Sequence, residues 1–222
     1  MMTNLFSIFD PSTSSFLSIN WMSLLVTLTV LPMTYWISPS QIMTPFKTMI
    51  KYVYSEFKPL SSKAPFVLTL TISIFIIILL NNLMGLLPFI FTASSHLVFT
   101  VTLALPGWLA IMMFSLTNNI SSFLTHLVPQ GTPGMLMPFM VLIETISNLI
   151  RPITLAVRLT ANMIAGHLLI VLLSSASSFM PTLAMPLLEM SQLALTSLEL
   201  AVAFIQAYVF SVLITLYIAE TN

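Results

Sequence analysis

The chain has 222 residues, of which 58% are hydrophobic and only 5% are charged, and its formal net charge is zero. So few charged side chains cannot cover a water-soluble domain, in which about a quarter of the residues are charged. The composition therefore indicates an integral membrane protein, and its run lengths indicate helices. The absence of cysteine excludes disulfides and thiolate metal sites, and the zero net charge gives no reason to expect a nucleic-acid partner.

Three apolar runs in the N-terminal part of the chain are long enough to cross a membrane as helices. They cover about residues 16–37, 66–88 and 97–116. Asn81 and Asn82, near the end of the second run, are expected to make interhelical hydrogen bonds, because amides in an apolar bundle need partners.

A basic loop, residues 39–65, separates the first two runs. It holds four of the six basic residues of the chain: Lys47, Lys51, Lys58 and Lys63. By the positive-inside rule this loop faces the cytoplasm, or the matrix of an organelle, and the N-terminus then lies on the opposite side. We interpret the loop as a solvated amphipathic connector, with a docking site for lipid or a partner as the alternative.

The C-terminal part begins after a break rich in proline and glycine, HLVPQGTPG, at residues 126–134. From residue 135 a helical pattern runs for about 44 residues, or roughly 65 Å, twice the hydrocarbon thickness of a bilayer. Such a helix must tilt or bend, and Pro152 offers a bend. After prolines at positions 181 and 186, a second long helix covers about residues 186–218.

These patterns predict an all-α integral membrane protein with about five membrane-crossing helices, including a long, strongly tilted C-terminal helical hairpin. We divide the chain into an N-terminal membrane region, residues 1–134, and the hairpin, residues 135–222. All charged residues beyond the basic loop lie in the hairpin: Glu144, Arg151, Arg158, Glu189, Glu199 and Glu220. A charge at mid-membrane costs roughly 2.5 to 3.5 kcal/mol and usually marks an ion path, so the hairpin is the predicted functional part.

The hairpin is expected to arrange its polar residues in layers. An antiparallel fold about a turn near Leu183 places His167 across from Glu199, Arg158 close to Gln206, and Glu144 close to Glu220. Arg158 then lies roughly 21 Å from Glu144 and roughly 13 Å from His167, in opposite directions along the helix. A cation therefore separates two titratable clusters, one towards each face of the membrane.

Arg151 has two interpretations. It sets the electrostatics of an ion path, or it pairs with a neighbour. Glu144 is two helical turns away, which is farther than the usual contact between residues three or four apart.

Five segments of this chain closely resemble one known family. They are IETISNLIRPITLAVRLTANMIAGHL, LELAVAFIQAYVF, FDPS, NNLMGLLP and HLVPQGTPG. The family is subunit a of F-type ATP synthases, in its mitochondrial form, and the resemblance covers essentially the whole chain. It implies a proton-translocating stator subunit of the Fo sector that passes protons through two offset half-channels to and from carboxylates of a rotating c-ring.

The resemblance also implies roles for individual residues. Arg158 corresponds to the essential arginine that faces a ring carboxylate and blocks direct proton passage. His167 and Glu199 fall in the half-channel on the intermembrane-space side, and Glu144 and Glu220 in the half-channel on the matrix side. Three further residues are supporting polar groups: Asn162, Gln206 and Arg151.

The same resemblance implies a multi-pass protein of the mitochondrial inner membrane, with its N-terminus towards the intermembrane space and its C-terminus towards the matrix. Expected partners are the c-ring, other Fo stator and peripheral-stalk subunits, the lipid bilayer and protons. The sequence has no phosphate-binding loop, zinc motif or Ser-His-Asp pattern, so we expect no nucleotide site, metal or cofactor in this subunit. The rival interpretations are an independent ion transporter and a structural membrane scaffold.

Overall fold

The structure is a computed structural model that describes residues 5–13, 17–31, 38, 40–41, 43–59, 65–88, 90–118, 120, 124, 127–128, 133–177 and 181–221. Its α-helices are α1 (Ser23–Val30), α2 (Met43–Phe57), α3 (Pro65–Gly85), α4 (Leu97–Asn118), α5 (Met137–Ala176) and α6 (Met185–Thr221). Short 3₁₀ helices cover Leu5–Phe9, Ile19–Met22, Ala93–Ser95, Gly134–Leu136 and Thr182–Ala184. The described part of the chain contains no strand, and the predicted all-α fold is confirmed.

Four stretches within the described residues are long and apolar enough to cross a membrane. They are Val67–Gly85, Leu97–Thr117, Gly134–Ala176 and Met185–Ile218. The first predicted run is represented by a shorter apolar helix, Ile19–Val30, while residues 32–37 of that run lie outside the described residues. This arrangement agrees with the prediction of about five apolar helices.

The hairpin helices are as long as their sequence predicts. Helix α5 has 40 residues and includes Pro152 in its interior, and α6 has 37 residues. At 1.5 Å per residue, α5 is roughly 60 Å long. The predicted boundaries at 135–178 and 186–218 are therefore correct to within three residues at each end.

The basic loop contains a helix that the sequence analysis left as a connector. Helix α2 buries Val53 and Phe57, and it packs against α3. Phe57 also stacks on Tyr208 of α6, with ring centroids 6.0 Å apart. Because Tyr208 lies in the C-terminal half of α6, this contact attaches the basic helix to that half of α6. Lys63 lies outside the described residues.

The core forms where α3 packs along α6 and α4 packs along α5. The side of α6 that faces the core carries small residues at every fourth position, and all of them are fully buried: Ala203, Ala207, Ser211 and Thr215. Small side chains let helix backbones approach closely, which is how apolar helices gain packing energy without a hydrophobic driving force. The core thereby fixes the rotation of α6 and the direction in which its polar residues point.

The two asparagines of α3 are buried, but one of them contradicts its prediction. Asn82 is fully buried, and neither its Nδ2 nor its Oδ1 has a hydrogen-bond partner among the described residues. The expected interhelical hydrogen bond of Asn82 is therefore wrong. An amide in an apolar run shows that a partner is needed, but it does not show whether a neighbouring helix places one within hydrogen-bond distance.

Candidate functional site

The α5–α6 hairpin forms a partly open pocket of about 280 Å³, and most of its exposed lining is apolar. Four polar residues line it together with apolar side chains: Asn162 and His167 from α5, and Glu199 and Gln206 from α6. A volume of this size has room for several water molecules, since each occupies about 30 Å³ in the liquid. Because His167 and Glu199 line the pocket from opposite helices, the structure has the antiparallel register that was predicted from the proline turn.

Glu199 is a buried acid with no counter-charge in contact. Its side chain is 7% exposed, and neither carboxylate oxygen has a hydrogen-bond partner among the described residues. A buried polar group without a partner is costly, and in native proteins such groups frequently have a functional role. The acid is held where a proton can be taken up or released into the pocket.

Gly166 makes the position of Glu199 possible, although the sequence pattern assigned this glycine no role. A Cβ atom added at Gly166 would overlap the Glu199 carboxylate. Within α5, Gly166 is the single glycine, and it directly precedes His167. Since glycine in a helix interior is destabilising by roughly 0.5 to 1 kcal/mol relative to alanine, its presence was the available signal of a close approach.

His167 lies at the end of the pocket, between two segments from other parts of the chain. Its imidazole is beside the backbone of Gly85 at the end of α3, and its Nε2 is buried without a hydrogen-bond partner in the described structure. On another side, the ring of Phe9 meets the imidazole edge-on, with ring centroids 6.5 Å apart and planes at 84°. The contact with Phe9 has no signal in the sequence, because 158 residues separate the two rings.

Arg158 points out of the helical bundle. It is exposed, whereas Leu155, Ala156 and Leu159 beside it are buried in the core. No ion pair or hydrogen bond joins its guanidinium to any residue that the structure describes. The structure therefore does not bring Arg158 into the pocket with Gln206, although Asn162, one turn further along α5, does line that pocket.

The exposed residues that share the face of α5 with Arg158 are small. Thr154 lies one turn before the arginine, Ala161 and Ala165 lie one and two turns after it, and all three are exposed. Small side chains permit another helix to approach the arginine closely. A permanent cation in an apolar span, surrounded by such a surface, can pair with a carboxylate supplied from outside the chain.

A second charged group lies near the start of α5. Arg151 Nη2 is 3.7 Å from Glu144 Oε1, and the Arg151 guanidinium sits 5.1 Å above the ring of Tyr217 in α6. Of the two interpretations of Arg151, pairing with a neighbour is the one that the structure shows, and Glu144 is within reach although it is farther than a usual i,i+4 contact, because residues seven apart share a helix face and both side chains are long. The side chain of Glu220 lies outside the described residues, so its approach to Glu144 stays a prediction.

Metal binding finds no support in the described structure. The residues searched contain no cluster of three or more His, Cys, Asp or Glu side chains that could hold a metal ion. The polar groups that are brought together, an imidazole, a carboxylic acid and two amides, are instead suited to passing protons along a hydrated path.

Comparisons with known proteins agree with this chemistry. Residues 14–219 match the family described as ATP synthase A chain. The chain is 54% identical to ATP synthase subunit a of Locusta migratoria over 223 residues, covering 99% of both sequences. It is 51% identical to the subunit a of Drosophila melanogaster over 227 residues and 50% identical to that of Anopheles gambiae over 226 residues, covering 100% of each sequence. The chain therefore belongs to the family of ATP synthase subunit a, the proton-translocating stator subunit of the Fo sector, which works with the c-ring and the other subunits of the complex.

Proposed function

We propose that Arg158 is the fixed cation of this subunit, that His167 and Glu199 carry protons on one side of it, and that Glu144 and Glu220 carry them on the other. The observation that carries this proposal is the position of Arg158. Arg158 is a permanent charge in an apolar helix. Its side chain is exposed on a surface of small residues and has no partner among the described side chains.

The chemistry of arginine explains why a residue of this type suits a stator subunit that faces a rotating ring of carboxylates. Its guanidinium stays protonated, with a pKa above about 12, so Arg158 cannot relay a proton and acts as a barrier between the two paths. A ring carboxylate that faces Arg158 is stabilised as an anion, whereas one that faces lipid must be protonated. Each carboxylate therefore loses its proton on one side of Arg158 and regains a proton on the other as the ring turns.

The pocket between α5 and α6 supports a proton path that includes His167 and Glu199. Both side chains line the same pocket, and both have buried atoms without hydrogen-bond partners in the described structure. Imidazole and carboxylic acid are the side chains that most often pass protons in proteins. Asn162 and Gln206 extend the polar lining towards Arg158, so they are supporting groups for protons that move between the pocket and the ring.

Replacing Gly166 by alanine is expected to slow proton transport without preventing assembly. The new Cβ would displace the Glu199 carboxylate, and a displacement of about 1 Å in a reacting group can cost roughly a hundredfold in rate. ATP-driven acidification of liposomes that contain the complex measures the effect. The matched control is Gly107→Ala in α4, where the added Cβ would lie 3.9 Å from Ile214 Cδ1, an ordinary contact. Equal pumping by the two variants would contradict this role of Gly166.

The opposite side of Arg158 is served by Glu144, with Arg151 in support. The ion pair and the stacking of Arg151 on Tyr217 tie the start of α5 to the end of α6, which is the region where the path to the other membrane face must open. Both side chains of the pair are about one third exposed, so Glu144 remains within reach of water. Arg151 thereby restrains Glu144 without removing it from solvent.

We infer the orientation of the chain from its basic helix and from two contacts at different levels of the hairpin. Phe9 meets His167 in the half of α5 that leads to the turn, while the basic helix α2 meets Tyr208, nine residues beyond Glu199 in the direction away from the turn. Basic segments stay on the side from which the chain is inserted. We therefore assign the protein to the mitochondrial inner membrane, with the N-terminus towards the intermembrane space and the C-terminus towards the matrix. The proton paths then belong to the hairpin, residues 135–222, and ATP chemistry belongs to other subunits.

Cysteine cross-linking tests which surface faces the ring. The chain has no cysteine of its own, so a single one can be introduced at Ala161, one turn from Arg158, or at Val98 on α4 as a control that is also exposed. In the intact complex, with one cysteine on the outer helix of each ring subunit, Ala161→Cys is expected to form a disulfide with the ring and Val98→Cys is not. Cross-linking from Val98 alone would reject the proposed ring-facing surface.

A further inference from the structure

The N-terminal segment of the chain lies over His167. The 3₁₀ helix Leu5–Phe9 ends with the ring of Phe9 meeting the imidazole edge-on, at a centroid distance of 6.5 Å. This is a favoured geometry for aromatic pairs, which contribute about 0.5 to 1.5 kcal/mol beyond the burial of their surface. Phe9 itself is partly buried, whereas Phe6, on the same 3₁₀ helix, is 68% exposed. The contact is therefore specific to Phe9 and is not a general property of the segment.

Side-chain hydrogen bonds fasten this segment, residues 5–13, to the beginning of the first apolar helix. Asn20 Nδ2 donates to the backbone oxygen of Asp10 at 3.3 Å, and Thr13 Oγ1 donates to the backbone oxygen of Leu17 at 2.8 Å. Next to Asn20, Trp21 packs against His96, with ring centroids 5.2 Å apart. The N-terminal segment is thus attached to the same end of the bundle as the loop that follows α3, and this attachment sets where Phe9 lies.

Three groups that the structure places beside His167 come from three different elements. The hairpin partner Glu199 lies across the pocket, and the backbone of Gly85 flanks the imidazole from α3. The third is the phenyl ring of Phe9, which has no group that can bind or release a proton. Phe9 can therefore exclude water from the imidazole and hold its plane, but it cannot take part in proton transfer.

We propose that Phe9 is a positioning residue for proton transport: its ring covers the imidazole of His167, fixes the plane of that ring, and restricts access of water from the membrane face where the N-terminal segment lies. This inference rests on the proposed place of His167 in the proton path. The charged groups nearest to this contact are Glu199 across the pocket and Asp10, which follows Phe9 directly in the chain.

Asp10, the residue after Phe9, carries a constant negative charge. The backbone N–H of Ser12 donates to Asp10 Oδ1 at 3.0 Å, and this hydrogen bond lowers the pKa of the Asp10 carboxyl below its usual range. The carboxylate is therefore ionised at neutral pH and is exposed to solvent. Asp10 therefore places an anion directly after Phe9 in the chain, and an anion there attracts protons from the solvent.

Chemical labelling of His167 in the intact complex tests the cover directly. Diethyl pyrocarbonate modifies accessible neutral imidazoles, and mass spectrometry of the peptide that contains His167 gives the labelling rate. Phe9→Ala is expected to raise this rate roughly two- to tenfold, the change in open population that corresponds to one aromatic pair. Phe9→Tyr should restore the wild-type rate, and Phe6→Ala on the same 3₁₀ helix should leave it unchanged. An unchanged rate in Phe9→Ala, or an equal rise in Phe6→Ala, would overturn the inference.

ATP-driven proton pumping by the same variants separates this inference from the proposed function. Phe9→Ala should reduce pumping, and Phe9→Tyr should restore it, because the tyrosine ring can occupy the same place against the imidazole. If His167→Ala leaves pumping intact, then the proposed role of His167 fails whatever the labelling shows. If His167→Ala stops pumping while Phe9→Ala changes neither labelling nor pumping, then only the role of Phe9 fails.

Discussion

Arg158→Gln is expected to abolish ATP-driven proton pumping by the assembled complex in liposomes. Glutamine keeps much of the length and the hydrogen-bonding ability of the side chain but removes its charge, so a ring carboxylate that faces position 158 is no longer stabilised as an anion. That carboxylate would keep its proton, and the ring would carry it past the stator without exchange. Acidification of the liposome interior, followed with a pH-sensitive dye, should fall to the level of an uncoupled control.

The matched control for this variant is Arg151→Gln, the same substitution two turns earlier on the same helix. Arg151 contacts Glu144 and Tyr217, so its loss should weaken pumping only in part, through its neighbours. Arg158 has no such contact among the described residues, so its loss is expected to act through the ring carboxylate and through the barrier between the two proton paths. Full pumping by Arg158→Gln in a complex of normal composition would show that the cation is structural.

Passive proton leak provides a second measurement on the same variant. If Arg158 separates two hydrated paths, then neutralising it should raise the leak through Fo under an imposed potential, because the electrostatic barrier between the paths is lost. The leak should be blocked by any treatment that plugs the pocket at Glu199. Loss of pumping without a raised leak would support the charge partner but contradict the barrier.

The helical bundle was predictable because in a membrane the apolar run length alone determines most of the fold. The spans of α3 to α6 needed no tertiary information. The register of the hairpin was also predictable, since two prolines at 181 and 186 define its turn, and a fixed rise per residue then aligns His167 with Glu199.

The details of the site depended on contacts that sequence periodicity does not encode. The role of Gly166 became visible only when α6 was placed against it, because a helix pattern does not say which glycine faces a neighbour. Phe9 reaches His167 from the other end of the chain. The bridge from Arg151 to Glu144 was missed because the usual spacing rule considers one helical turn, whereas two long side chains can span two. All three cases depend on which groups meet in three dimensions, and the lengths of the apolar runs in the sequence do not give that information.

Glu199 and His167 are expected to act in series, and a double-mutant cycle tests this directly. Glu199→Gln preserves the shape of the side chain but cannot release a proton, so pumping should fall about a hundredfold, the usual contribution of a proton-transfer group. His167→Ala should also reduce pumping. If both residues serve one path, then the double variant should be little worse than Glu199→Gln alone, because a path that is already blocked cannot be blocked again.

The control for this cycle is Glu189→Gln, the same substitution on the same helix. Glu189 is exposed and lies near the beginning of α6, outside the pocket, so its loss should leave pumping unchanged. Two outcomes would contradict a serial path: pumping by Glu199→Gln equal to that of Glu189→Gln, or effects of the Glu199 and His167 variants that multiply in the double variant. Multiplying effects would mean that the two side chains act independently, and the shared pocket would then be a consequence of packing rather than the route of the proton.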